Sequence, residues 1–213
     1  MAERVLVTGA NGQLGYDVIK ELTKRNIECV GVDHNDFSIT DKDAVMTYIK
    51  DYKPTAVIHC AAYTAVDAAE DDKELCYAVN ETGSEYIAEA CKAVDAKMMY
   101  ISTDYVFPGT GDTFYEPNDP KGPQNVYGAA KLAGELKVQS ILDKYFIVRI
   151  SWVFGVNGKN FVKTMLNLAK THDSLTVVDD QIGSPTYTAD LARLLVDMIV
   201  TDKYGAYHAT NEG

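Results

Sequence analysis

The chain is poor in the features that mark several large protein classes. Its 213 residues include only four cysteines, widely spaced and without a C-x-x-C pair, which indicates reduced thiols and not a disulfide framework or a zinc site. The histidines show no ligand spacing, so no metal site is predicted. No apolar run approaches the roughly 20 residues that a membrane-spanning helix needs. The N-terminus lacks the basic and apolar pattern of a secretory signal, so we expect a soluble, cytoplasmic protein.

Positive charge is also scarce. Lys and Arg total 20 against 31 Asp and Glu, which gives a formal net charge of −11. A surface of that sign repels nucleic-acid phosphates and anionic headgroups, so neither a nucleic-acid nor a membrane partner is expected. An anionic ligand must therefore be held locally, by helix N-termini or a few placed cations. A homodimer is compatible with the composition, but nothing in the sequence indicates one.

What the sequence does contain is an alternation of short apolar runs and segments with helical periodicity. This pattern predicts an α/β fold of Rossmann type, a doubly wound parallel sheet with helices on both faces. Strands are predicted at 4–8, 28–33, 56–59, 97–102, 145–150, 175–178 and 206–209. Helices are predicted at 14–25, 41–51, 75–94, from 126, at 160–170 and at 189–200, and the irregular stretch 108–123 is predicted as a functional loop.

Two regions follow from this pattern. Residues 1–151 are predicted as a dinucleotide-binding Rossmann domain. Residues 152–213 are predicted as a mixed segment, part of a small substrate lobe together with a helix at about 188–200 that packs back on the first domain. The final residues read as the beginning of a loop, so we expect this C-terminal lobe to be incomplete.

A glycine turn follows the first predicted strand. Gly9, Gly12 and Gly15 lie between this strand and the next helix, which is the context of a dinucleotide-binding turn. The first glycine permits the tight turn, the second lets backbone approach a pyrophosphate, and the third allows close packing of helix on strand. The unpaired N–H groups of the helix N-terminus favour phosphates. The alternative is a structural turn that needs only a positive φ.

Asp33 ends the second predicted strand, about 20 residues downstream of the turn, where an acid can bind the adenosine ribose hydroxyls. By this rule NAD is preferred, because Asp repels a 2′-phosphate. His34 softens that repulsion, so the choice between NAD and NADP stays open. The alternative is an Asp that caps the following turn.

Tyr127 and Lys131 are spaced by four residues and therefore share one face of a predicted helix. Reduction of a ketone by hydride needs a proton donor at the developing alkoxide, and a nearby cation would lower the pKa of Tyr127 towards neutral. Thr103, at the end of the fourth strand, would donate a hydrogen bond to the carbonyl oxygen. The alternatives are a solvated Tyr/Lys pair and a hydroxyl that caps a turn.

These residues, and the stretches around them, resemble the extended short-chain dehydrogenase/reductase superfamily and, within it, the dTDP-4-dehydrorhamnose reductase family. The resemblance covers essentially the whole chain. Its most specific stretches are 61–67, 102–107, 125–128 with 131–135, 149–153 and 179–186.

The resemblance implies a role for each matching position. Together with the glycine turn, the cofactor-binding residues are Gly9, Gly12, Gln13, Leu14, Gly15, Asp33, Ser38, Ile39, Ala62, Tyr63, Thr64, Tyr127 and Lys131. Thr103, Tyr127 and Lys131 match the family's catalytic triad, with Tyr127 as proton donor. Thr103, Asp104 and Trp152 match positions that hold the deoxysugar, although Trp152 could also be a packing residue. The implied cofactor is NADPH, with NADH as an alternative, which the argument from Asp33 did not favour.

The implied activity is the reduction of dTDP-4-dehydro-L-rhamnose to dTDP-L-rhamnose. Tyr105 after Asp104 argues for simple reduction, because the related sugar-nucleotide 4,6-dehydratases carry an Asp-Glu pair after the Thr. Two alternatives stay open: a non-catalytic dinucleotide-binding regulatory subunit, and a related reductase or epimerase for another hexose. Family members continue past the position of Gly213, so we expect cofactor binding to be less affected than substrate affinity.

Overall fold

The computed structural model describes residues 3–111 and 113–212, which form the α/β fold predicted from the sequence. The strands are β1 Arg4–Thr8, β2 Glu28–Val32, β3 Ala56–His59, β4 Lys97–Thr103, β5 Tyr145–Ile150, β6 Val153–Phe154, β7 Thr186–Tyr187 and β8 Gly205–His208. The helices are α1 Gln13–Lys24, α2 Lys42–Tyr52, α3 Lys73–Tyr77, α4 Ser84–Ala93, α5 Val126–Ile141, α6 Phe161–Leu168 and α7 Thr188–Ile199. A π-helical segment, Ala78–Gly83, joins α3 to α4, and 3-10 turns occupy Ala68–Glu70 and Asp104–Val106.

Among the described residues, six strands form one parallel sheet in the order β2-β1-β3-β4-β5-β8. The chain leaves β1 towards β2 on one side and later returns to add β3 on the other. Ligands of such sheets bind outside the carboxyl ends of the strands, at the point where the order reverses. The loops that follow β1, β3, β4 and β5 meet at this edge. The short strands β6 and β7 pair with each other in a separate parallel ladder.

Helices cover both faces of the six-stranded sheet. On one face α1 and α7 pack on the strands and on each other, with Leu22 and Leu195 fully buried. On the other face lie α2, α4 and α5, with Ile49 and Ile87 fully buried. Burial of each such side chain is worth about 1.5–3 kcal/mol. The helix α7 covers most of the range predicted at about 188–200, and it packs on α1.

The helix predicted over residues 75–94 is a helical stretch from Lys73 to Ala93 that contains one π-helical segment. Asn80 lies in this segment, and its amide pairs with both backbone groups of Tyr63. Its oxygen accepts from the Tyr63 N–H at 2.9 Å, and its nitrogen donates to the Tyr63 carbonyl at 3.0 Å. Single π-helical turns are frequent at functional sites. Here the turn fixes the segment that follows β3 at the carboxyl edge.

The strand predicted at residues 175–178 is wrong. This segment has no regular structure, and Leu175, Val177 and Val178 are exposed. Its β-branched residues favour a strand, but a strand also needs a partner, and no strand in the described part of the chain pairs with it. The pairing of β6 with β7 was not predicted, because two residues are too few to show a periodicity.

The cysteines are free thiols: Cys76 and Cys91 are buried, while Cys29 and Cys60 are partly buried. Within residues 3–111 and 113–212, none of the helices has the length and apolar character needed to cross a bilayer. The same residues contain no group of three or more His, Cys, Asp or Glu side chains placed to hold a metal ion.

Candidate functional site

A cleft of about 980 Å³ runs along the carboxyl edge of the sheet. The loop after β2, with Asp33, lines one part of it, and the N-terminus of α1 lines another. The loops after β4 and β5 complete it with Thr103 and Trp152. The cleft therefore lies where an open parallel sheet binds its ligands.

The glycine turn is shaped by close backbone contacts. Gly9 has a φ of +66°, and a Cβ there would lie 2.7 Å from the backbone nitrogen of Ala61. A Cβ on Gly15 would collide with the carbonyl oxygen of Gly9. Gly12 is exposed and precedes α1 without a side-chain cap, so the first N–H groups of the helix have no side-chain acceptor. This N-terminus offers donors and a partial positive charge to an anion.

Asp33 directly follows β2 and lines the cleft. Its carboxylate accepts a hydrogen bond from the backbone N–H of Asn35 at 2.7 Å and another from the side chain of Asn11 in the glycine turn. The carboxylate thus caps its own turn, which was the alternative considered from the sequence. An ionised carboxylate has about four acceptor sites, so Asp33 can still bind ribose hydroxyls.

Thr103 and Asp104 lie at the junction of β4 and the following 3-10 turn. The Thr103 hydroxyl donates to the Asp104 carboxylate at 2.9 Å and accepts from the backbone N–H of Tyr105 at 3.3 Å. It therefore caps a turn, and donation to a ligand would require it to rotate away from Asp104. Burial raises the pKa of Asp104, and the hydrogen bond from Thr103 opposes this rise.

Helix α5 brings Tyr127 and Lys131 into the cleft. Asn125 caps the helix by accepting from the N–H of Gly128 at 2.7 Å, which places Tyr127 in the first turn. A Cβ on Gly128 would collide with the carbonyl oxygen of Tyr105, so only glycine allows this approach. The rings of Tyr105 and Tyr127 pack edge to face, with their centroids 5.7 Å apart.

Burial dominates the electrostatics of the Tyr–Lys pair. Lys131 is 2% exposed, and its ammonium donates to the carbonyl oxygen of Ile101 at 2.7 Å. Burial lowers the pKa of Lys131 to about 7, and Glu135 opposes this effect. Burial also raises the pKa of Tyr127 well above its ordinary value, while the Thr103 hydroxyl acts in the other direction. The lowering of the Tyr127 pKa expected from the sequence is therefore wrong: burial of the phenol raises this pKa, and the hydrogen bond with Thr103 opposes the rise only in part.

Trp152 follows β5 and lines the cleft with 42% of its surface exposed, so it is not a core residue. Its φ of +44° is uncommon for a bulky side chain, and such conformations cluster at ligand sites. Gly183 lies against the indole, because a Cβ there would be 2.9 Å from the ring.

Comparisons with known proteins identify the family of this chain. A family model described as the RmlD substrate binding domain matches residues 3–213. The dTDP-4-dehydrorhamnose reductase of Streptomyces griseus is 44% identical over 216 residues, which cover 99% of this chain and 71% of that protein. The chain belongs to the dTDP-4-dehydrorhamnose reductase family.

A solved structure and a second curated protein are also similar to this chain over its full length. The crystal structure of the Bacillus anthracis dTDP-4-dehydrorhamnose reductase in complex with NADP matches with a TM-score of 0.97 and 46% identity, covering 100% of this chain and 76% of that chain. A dTDP-4-keto-6-deoxy-D-glucose reductase of Streptomyces niveus is 37% identical over 214 residues, covering 100% of this chain and 74% of that protein.

The cleft gathers all but two of the residues that the resemblance to dTDP-4-dehydrorhamnose reductases implied. Those that line it are Gly9, Gly12, Gln13, Leu14, Asp33, Ser38, Ile39, Ala62, Thr64, Thr103, Asp104, Tyr127, Lys131 and Trp152. Gly15 lies beneath the turn, where helix and strand pack. Tyr63 does not line the cleft, because Asn80 holds its backbone and its hydroxyl donates to Asp72 at 3.3 Å.

The sequence interpretation missed the loop before α6. Gly158 and Lys159 of this loop line the cleft, and a Cβ on Gly158 would lie 3.0 Å from Cγ of Gln13. Among the described residues that line the cleft, Lys131 and Lys159 are the only lysines or arginines. The signal that could have revealed the loop is its run of Gly and Asn residues before a helix, 155–160, in a chain that needs locally placed cations.

Proposed function

We propose that this chain binds NADPH in the cleft and reduces dTDP-4-dehydro-L-rhamnose to dTDP-L-rhamnose. One observation carries the proposal: a glycine turn with an uncapped helix N-terminus shares one cleft with Thr103, Tyr127 and Lys131. Relatives with 44% and 46% identity carry the name of this activity, and the second is bound to NADP. The free thiols suit a reducing compartment, and we place the reaction in the cytoplasm.

The residues of the cleft fit a dinucleotide. The glycine turn is a cradle that a Cβ would fill, which leaves its backbone open to a pyrophosphate. Asp33 would bind the adenosine ribose, and Tyr127 and Lys131 the nicotinamide ribose. Bound NADPH would supply a hydride to C4 of the ketosugar.

In this proposal Tyr127 donates the proton. Its raised pKa keeps the phenol protonated at neutral pH, so the proton is available when negative charge develops on the C4 oxygen. The Thr103 hydroxyl donates to Asp104 in the structure, and once rotated away from Asp104 it would donate to the C4 oxygen of the ketosugar, the role expected from the sequence. Phenolate formation would also favour the charged form of Lys131, because opposite charges stabilise each other. Asp104 and Trp152 would hold the deoxysugar.

NADPH is proposed ahead of NADH, although Asp33 lies where it would approach a 2′-phosphate. The NADP-bound relative supports this choice, and the exposed His34 lines the cleft beside Asp33. We expect both cofactors to bind, because a fixed carboxylate disfavours the phosphate without closing the site.

The test is a reaction of the purified chain with NADPH and dTDP-4-dehydro-L-rhamnose, in which loss of NADPH and formation of dTDP-L-rhamnose are both measured. Equal amounts of both are expected. Tight NADPH binding without this product would contradict the proposal. Co-purification of such a chain with a partner enzyme would favour the non-catalytic regulatory role.

The second candidate function is the same reduction with a different hexose, dTDP-4-keto-6-deoxy-D-glucose, as the substrate. The 37% identical dTDP-4-keto-6-deoxy-D-glucose reductase supports this candidate, because the same cleft residues would serve either sugar. Both ketosugars should therefore be offered to the chain in parallel. A higher kcat/KM with dTDP-4-keto-6-deoxy-D-glucose would assign that hexose instead.

A further inference from the structure

The loop before α6 packs directly on the glycine turn, and Asn160 makes the central contact. Its Oδ1 caps α6 by accepting from the backbone N–H of Lys163 at 3.0 Å. Its Nδ2 donates to Oε1 of Gln13 and to the carbonyl oxygen of Gly155, both at 2.9 Å. Only an acceptor can cap a helix N-terminus, so the cap fixes which end of the Asn160 amide faces Gln13.

This contact in turn fixes the orientation of Gln13. A side-chain amide that gives its oxygen to Asn160 keeps its nitrogen, with two N–H donors, for another partner. Gln13 begins α1 and lines the cleft. Within the described residues, no hydrogen bond uses this side-chain nitrogen of Gln13, so the donor is available to a ligand.

Asn157 acts on the same turn from the same loop. Its side-chain nitrogen donates to the carbonyl oxygens of Asn11 at 2.9 Å and Gly12 at 3.1 Å. Carbonyl oxygens repel an anion, and these two are engaged by N–H donors. Lys159, between the two asparagines, lines the cleft and adds a positive charge.

We infer that Asn160 is a positioning residue for the dinucleotide: it holds the Gln13 amide so that a donor, not an acceptor, is presented to the pyrophosphate. The inference rests on the proposed function, because it concerns the same cofactor. Pyrophosphate oxygens only accept hydrogen bonds, so a reversed Gln13 amide would replace an attraction by a repulsion. The net charge of −11 increases the need for such local donors.

A double-mutant cycle on the dissociation constant for NADPH tests this inference. Asn160→Ser keeps a neutral helix cap and removes the amide, while Gln13→Leu removes the side chain that the amide orients. We expect each single variant to raise the Kd about tenfold, the loss of one hydrogen bond to a charged group. The double variant should also raise the Kd for NADPH only about tenfold, because the two residues act as one unit.

The matched control is Asn167→Ser, an exposed position on the same helix that accepts a hydrogen bond from Lys170. We expect this control to leave the Kd unchanged. A lower unfolding midpoint for Asn160→Ser with an unchanged Kd would overturn the inference, because it would reduce Asn160 to a helix cap. A Kd for NADPH raised about a hundredfold in the double variant would also overturn the inference, because the effects of the two substitutions would then be independent.

Asn160→Asp keeps the cap and covers the case in which Asn160→Ser does not fold. It offers Gln13 an acceptor, so the Gln13 amide should reverse and the Kd should rise by more than about tenfold. An unchanged Kd in Asn160→Asp would overturn the inference. A wild-type chain that binds neither NADPH nor NADH would contradict the proposed function itself, whereas tight binding by wild type and by the Asn160 variants would contradict this inference alone.

Discussion

At the scale of single residues, the burial of Lys131 has the clearest electrostatic consequence in the cleft. Its pKa is lowered to about 7 by burial, with Glu135 one helical turn away acting in the opposite direction. Its charge also contributes to the low pKa of His59, which burial brings to about 3. Two basic groups near the cleft therefore have weakened affinity for protons in the folded chain.

The stability of the chain should depend on pH through Lys131. Its pKa is about 7 in the folded chain against an ordinary value of 10.5, so the unfolded state binds more protons between these limits. Stability rises with pH wherever that holds, so the Lys131 contribution increases across this window by at most about 1.4 kcal/mol per pH unit. Below about pH 7 both states are protonated, and the full cost of burying the charge remains.

Urea unfolding of wild type and Lys131→Met at about pH 7.5 and about pH 9 measures this dependence. Met has a similar length and no charge, so the variant should lose the part of the pH slope that Lys131 contributes. Identical slopes in the two proteins would contradict the lowered pKa of Lys131.

The burial, the pKa values and the long-range contacts of the site residues were predicted least well from the sequence. The i, i+4 spacing placed Tyr127 and Lys131 on one face of a helix, but spacing carries no information on burial, which reversed the expected pKa shift of Tyr127. The contact between Asn160 and Gln13 joins residues 147 positions apart, so no local pattern could predict it.

At the scale of elements, the glycines of the turn between β1 and α1 have different roles: Gly15 is needed for packing, and Gly12 for cofactor binding. We expect Gly15→Ala to cost about 1–3 kcal/mol of unfolding free energy, because its methyl group would collide with the Gly9 carbonyl. Gly12 is exposed, and a Cβ there would lie 3.1 Å from the same oxygen. Gly12→Ala should therefore cost less than about 1 kcal/mol of stability and should weaken NADPH binding. Urea unfolding and NADPH titration of both variants measure these effects. Equal losses of unfolding free energy in the two variants would contradict the different roles of Gly12 and Gly15.

A buried ion pair anchors the helix that carries Tyr127. Glu135 of α5 accepts from Arg149 of β5 at 2.7 and 2.8 Å and from Ser102 of β4 at 2.5 Å. Arg149 also donates to the carbonyl oxygen of Pro117 at 2.9 Å. The pair therefore joins α5, two central strands and the long loop after β4.

Removal of one partner of this ion pair should lower the free energy of unfolding more than removal of both charges. Arg149→Met leaves the Glu135 carboxylate buried without its partner, and we expect a loss of about 3–5 kcal/mol. The double variant with Glu135→Gln should lose less, because no uncompensated charge remains. Chemical unfolding compares the two, and a double variant no more stable than Arg149→Met would contradict this role of the pair.

For the whole molecule, the strand order brings distant parts of the chain to one edge. The sequence predicted this architecture well, because buried parallel strands read as apolar runs separated by helical periods. It also predicted where Thr103 and the glycine turn lie, because both follow strands that end at the same edge. It failed at residues 175–178 and at the loop 155–160, where structure depends on partners far along the chain.

The most direct test of the proposed reaction is the turnover of Tyr127→Phe with saturating NADPH and dTDP-4-dehydro-L-rhamnose. Tyr16→Phe, at an exposed position on α1, is the matched control and should behave as wild type. We predict that Tyr127→Phe loses about 10²–10⁴-fold in kcat, because the proton donor is gone. Its Kd for NADPH should change by no more than about tenfold, the effect of one neutral hydrogen bond. A Tyr127→Phe variant that forms dTDP-L-rhamnose at close to the wild-type rate would contradict the account.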